Sequence, residues 1–164
     1  MSKRKGHVIS GDFMVSISIF LLFLGVLLPL WSHMQGSMGE QNRQVFMENK
    51  IVIVSEILSK TEGSPKNWNK TNVKSIGLLT GENLNKTKVD TLMRINYSKS
   101  KEILGLNGFD FYLNITDYKN NNFKVNGNNM VYGKFPNNSE YISRIQRLMT
   151  YNETVAVLEL ILWR

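Results

Sequence analysis

The recurrent chemistry-bearing pattern in this chain is the tripeptide Asn-X-Ser/Thr, whose side-chain amide is the acceptor for N-linked glycan. It occurs at Asn69, Asn85, Asn96, Asn114, Asn137 and Asn152. Asparagine supplies 19 of the 164 residues, and that abundance alone would generate about two or three such tripeptides. Six exceed this, so glycosylation is an expectation and not only a by-product of composition. Asn114 lies in an alternating stretch that points it away from the apolar positions. Asn96, within a predicted helix, reads equally as an ordinary exposed residue.

Other chemistry is sparse. His7 and His33 are the two histidines, and they stand on either side of a long apolar run, so no histidine pair is expected to meet. The absence of cysteine excludes disulfide staples, thiolate metal sites and a cysteine nucleophile. Acidic residues are scattered singly, without the spacing of a calcium loop or a metal-binding helix, and no glycine-rich phosphate loop is present. These features favour a protein that is not an enzyme and needs no cofactor or metal. The formal charge of +7 includes Lys3, Arg4 and Lys5 at the extreme N-terminus. What remains is too diffuse for a nucleic-acid footprint, and no nucleic-acid partner is expected.

The elements that would carry these residues begin with an uncharged stretch of nineteen residues, Phe13 to Trp31. As a helix it is about 28 Å long, enough to cross the hydrocarbon of a bilayer. Membrane lipid is therefore an expected partner. The basic cluster precedes the stretch and no Lys or Arg occurs from Ser32 to Asn42, which places the N-terminus in the cytoplasm and the remainder outside a cell membrane crossed once. The division expected is a basic leader (1–12), a transmembrane helix (13–31), a helical extension (32–62) and an extracellular domain (63–164). Asp12 stands at the inner boundary, where a carboxylate must either reach water or find a partner charge in an assembly.

Met34, Met38, Val45, Val52 and Ile57 recur at near-helical spacing, predicting one helix to about Lys60 that ends at Gly63 and Pro65. Helical flanks favour helix over strand for Ile51 to Val54. Trp68 is expected to pack back as an apolar plug. A second helix is predicted over Lys88 to Leu104. Phe109 to Thr116 alternates with period two, shorter strands are expected near Phe123 to Val125 and Asn129 to Gly133, and Ile142 to Tyr151 with Thr154 to Trp163 reads as a hairpin. In its second strand Ala156, Leu158, Leu160 and Leu162 share a face. The fold class expected is α+β: a long N-terminal transmembrane helix extending into a small head with a second helix and an antiparallel sheet.

The start, KRKGHVISGDF followed directly by the apolar stretch, resembles the class III signal peptide of archaeal type IV pilins and archaellins. The segments LSKTEGSPKNWN, VKSIGLL, NYSKSKEILGL, FDFYLNIT and LELILWR are similar to those of archaeal pilin-like proteins. That resemblance implies cleavage by a prepilin-type peptidase between Gly6 and His7, after Lys5, with the helix retained and packed against the helices of other pilin-like subunits. The chain would then be a major or minor subunit of a surface filament or of its assembly machinery, with a role in adhesion among the expected outcomes. It departs from the pilin pattern in one respect. Pilins commonly carry a glutamate as the fifth mature residue, to neutralise a neighbour's terminal amine, whereas here the nearest carboxylate, Asp12, would be sixth. The competing expectation is a monomeric signal-anchored receptor or adhesin.

Overall fold

The computed structural model describes residues 11–119, 121–125, 127–137, 139 and 141–164. These divide into two compact units, one up to Arg43 and one from Gln44. Both contain part of a single helix, α1 (Gly11–Lys60), 50 residues long. In the first unit α1 continues through Gly25 and Pro29 without interruption. Its segment Gly11–Met34 is long and apolar enough to cross a membrane.

In the second unit the same helix becomes one-sided. Met47, Ile51, Val54 and Leu58 recur at helical spacing and are buried, while Val45, Val52 and Ile53 are exposed. The Ile51 to Val54 run is thus helical despite its β-branched composition, because only one of its faces meets the core. The helix stops at Lys60, and Gly63 takes a positive φ of 78° just beyond.

The remaining elements are β1 (Leu79–Thr80), β2 (Asn83–Leu84), α2 (Lys86–Met93), α3 (Tyr97–Ile103), β3 (Asp110–Asp117), β4 (Lys124–Val125), β5 (Asn128–Asn129), β6 (Val131–Gly133), β7 (Ile142–Tyr151) and β8 (Thr154–Trp163). Six strands form one sheet in the order β1-β2-β7-β8-β3-β6, and β4 with β5 forms a separate ribbon. Strand β8 is central, pairing antiparallel with β3 from Ala156 to Trp163 and with β7 over its full length. Its Ala156, Leu158, Leu160 and Leu162 are completely buried, on the face shared by Phe111, Leu113 and Ile115 of β3.

Two expectations need correction. The sheet is mixed, because β2 pairs parallel to β7 at Asn83 and Thr150; a two-residue strand has no alternation from which its direction can be read. The second helix is two helices, broken at Arg94 to Asn96. Asn96 adopts extended backbone (φ −62°, ψ 135°) and its side chain accepts from Ser98 N, so it caps α3 instead of continuing α2. The break buries Ile95.

The β7–β8 hairpin turns on Asn152 and Glu153, both at positive φ (44° and 65°). Asparagine tolerates that region and glutamate does not, whereas glycine at the second position suits this turn. Glu153→Gly is therefore expected to raise stability by about 1 kcal/mol. Leu158→Ala, at the centre of the core, should lower it by about 2–5 kcal/mol. Thermal and urea unfolding of the full chain in detergent, followed by circular dichroism, measures both.

Candidate functional site

The six acceptor asparagines fall into structurally different classes. Asn69 folds its side chain onto its own tripeptide: Oδ1 accepts from Thr71 N (2.9 Å) and Thr71 Oγ1 (2.7 Å). Asn85 caps α2, accepting from Thr87 N and Lys88 N while its Nδ2 donates to Thr80 Oγ1 (2.9 Å). Asn96 caps α3. At these three positions the residue two places on donates its backbone N–H to the asparagine oxygen, which is a turn and cap geometry that asparagine adopts without any glycan.

Asn137 and Asn152 are exposed, the second at the tip of the hairpin. Asn114 is different again. It points away from the Phe111 and Leu113 face, as its alternation implies, but it sits on the inner strand β3, paired with Glu159 on one side and Val131 on the other. Its Oδ1 is buried without a hydrogen-bond partner among the described residues, and Thr116 of the same tripeptide is buried too. Glu159 pairs with Arg144 on that face. The sheet's second face is thus partly covered by its own side chains, which alternation cannot report.

Asp12 lies exposed in the first turn of α1, where a carboxylate complements the unsatisfied N–H groups of a helix start. Lys5, Gly6 and His7 lie outside the described residues. His33 is exposed within α1. Among the described residues no three of His, Cys, Asp and Glu converge to hold a metal.

Two polar centres escaped the sequence reading. In the first, Glu62 gathers the end of α1, β1 and α2. Its backbone oxygen accepts from Trp68 Nε1 (3.1 Å) and Lys88 Nζ (2.7 Å), and its carboxylate accepts from Gly81 N (2.9 Å). Trp68 is buried and also donates to Gly77 O, so the expected plug is present with its N–H satisfied. The buried Lys88 ammonium gives a second bond to Leu79 O (2.6 Å), and burial pushes its pKa down. Gly77 approaches Gly63 so closely that a Cβ would lie 2.3 Å from the Gly63 nitrogen.

The second centre joins α3 to the sheet. Tyr97 stacks on Phe111 with ring centroids 5.0 Å apart. Its hydroxyl accepts from Phe111 N (2.8 Å) and donates toward Asp110 Oδ1 (3.0 Å). Burial pushes the phenol up to about 12. Lys101 Nζ lies 2.9 Å from Asp110 Oδ1, and this bond holds the carboxyl below the ordinary carboxylate range. Tyr132 donates to Ile95 O and shares a hydrogen bond with Ser100. Every group named here bonds to another part of the same fold, so both centres fasten its elements together. The bulky lysines and tyrosines in the sequence carried no signal for this, because their partners are up to 37 residues away.

No family model, curated protein or solved structure matches this chain.

The Lys101–Asp110 pair makes a testable demand on pH dependence. Because the folded chain keeps Asp110 ionised to lower pH than the unfolded chain does, the pair's stabilisation is fully present above about pH 5 and fades as pH falls through the depressed folded value. Asp110→Asn should therefore cost stability at neutral pH, and its deficit should shrink toward zero as the pH is lowered below the ordinary carboxylate range of about 4. Urea unfolding of variant and parent across that range measures the convergence.

Proposed function

We propose that this chain is a pilin-like structural subunit, major or minor, of an archaeal type IV pilus-like surface filament or of its assembly system. The observation that carries the reading is the state of α1 from Gly11 to Met34: a continuous helix, apolar around its circumference, none of it buried. A helix of that kind needs an apolar environment supplied from elsewhere, by lipid before assembly and by like helices after it. The resemblance of the leader to class III signal peptides adds the means of passing from one to the other, since cleavage between Gly6 and His7 removes the basic residues and keeps the helix. In this reading the α+β unit is extracellular, and Asp12 offers its carboxylate to a neighbour's new terminal amine.

The expected result of N-terminal mass spectrometry on native protein is a chain beginning at His7, present in sheared surface filaments. Gly6→Leu should block processing and leave the longer chain in the membrane. Asp12→Ala should leave processing intact and deplete the filament fraction. A native chain that keeps residues 1–6 and never enters the filament fraction would replace this reading with the signal-anchored receptor.

Glycan, on the same reading, belongs first at exposed acceptors such as Asn137 and Asn152, and is disfavoured at half-buried Asn114, whose Oδ1 is buried on an inner strand. Glycopeptide mapping should find occupancy at the first two and an unmodified peptide at Asn114. Occupancy at Asn114 would show that modification precedes sheet closure.

A further inference from the structure

Strand β7 is ten residues long and fully paired on one side only. Toward its other side β2 meets it at Thr150, and among the described residues no strand pairs with it from Ile142 to Met149. A run of backbone donors and acceptors is thus left open along an edge. Ile142 and Leu148 on this strand are 54% and 75% exposed, Arg144 and Gln146 between them are exposed, and Ser143, Ile145 and Arg147 on the alternate face are partly so.

We propose that this edge pairs with the same edge of a second copy, antiparallel, about a two-fold axis at Ile145. The argument is the order of side chains along the strand. Residues directly opposite in an antiparallel pair lie on the same face, so odd positions must meet odd and even must meet even. Three central registers satisfy this. Centring on Arg144 sets two arginines, each paired with its own Glu159, directly against each other and leaves the apolar Ile142 opposite the polar Gln146. Centring on Gln146 sets Arg144 against Leu148 and brings Ile142 to Thr150, whose outer side β2 already occupies. Centring on Ile145 places Ile142 opposite Leu148, Ser143 opposite Arg147, Arg144 opposite Gln146, and Ile145 opposite itself. Apolar meets apolar, each arginine meets a neutral hydrogen-bonding partner, and β2 stays clear at both ends. About Ile145 the strand is self-complementary, with Ile142 against Leu148 and each arginine against an uncharged polar side chain, which is what an isologous contact requires. The inference concerns Gln44–Arg164 and does not rest on the function proposed above.

The absence of cysteine makes the register directly measurable in the full chain in detergent. Under mild oxidation Ile145→Cys should form a disulfide-linked dimer. A mixture of Ile142→Cys chains with differently tagged Leu148→Cys chains should give the mixed dimer. Leu148→Cys alone should not, since its two sulfurs would be about 20 Å apart along the strands. The exposed Gln146 supplies a second arm that leaves the core untouched: Gln146→Arg stands opposite its own chain's Glu159 but faces Arg144 of the other copy, and should lower the Ile145→Cys dimer yield several-fold. Dimer yields from Ile145→Cys no greater than from Leu148→Cys, or yields indifferent to the charge at position 146, would overturn the proposal.

Discussion

One constraint governs the Gln44–Arg164 unit: the apolar face of β8 has to be covered. Ala156, Leu158, Leu160 and Leu162 lie in the middle of the sheet and are fully buried, so their strand can exist only if something apolar lies over them. Met47, Ile51, Val54 and Leu58 of α1 belong to the same core. The contact is pinned by polar groups at its margin, where Arg147 on the β7 face donates from Nε to Ser55 Oγ at 3.0 Å and approaches Glu56. The helix therefore changes character along its length. Up to Met34 it is apolar on all sides, and from Met47 it is apolar chiefly where the sheet requires it.

A chain without cysteine must close its long connections by packing and hydrogen bonds. The segment between α1 and β1 does so around Trp68, which lies buried and donates to two carbonyl oxygens contributed by either end of that segment. Lys88 performs the same service from α2, reaching Glu62 and Leu79 with its ammonium. Both side chains bury apolar area and satisfy backbone acceptors that would otherwise be lost to water, a cost of about 1–3 kcal/mol for each acceptor left unpaired. Tyr97 and Tyr132 hold α3 against β3 and β6 in the same manner. The asparagine-rich composition contributes to local folding as well, since Asn69, Asn85 and Asn96 each organise the turn or helix start that follows them.

The two broad faces of the sheet differ in how they are finished. One carries the core. The other holds Tyr112, Asn114 and Glu159 beside exposed Ile142, Leu148 and Val155, and it is finished by local pairs such as Tyr112 with Phe135 and Glu159 with Arg144. Among the described residues this partly apolar face runs out to the open edge of β7.

What the sequence determined by itself was the part of the structure set by periodicity. The uncharged run from Phe13 to Trp31, the end of α1 near Lys60, the alternation in β3 and the hairpin from Ile142 to Trp163 are each written in neighbours a few residues apart, and burial follows that spacing. Tertiary structure decided what depends on distant partners. It broke the second helix at Asn96, because a capping side chain there stabilises a new start while Ile95 reaches the core. It turned β2 parallel to β7, and it placed Asn114 on an inner strand between β8 and β6 with its Oδ1 buried. It also made Glu62 and Asp110 into fasteners, since a carboxylate's role is fixed by the donors that the fold brings to it and not by the residues beside it in the chain.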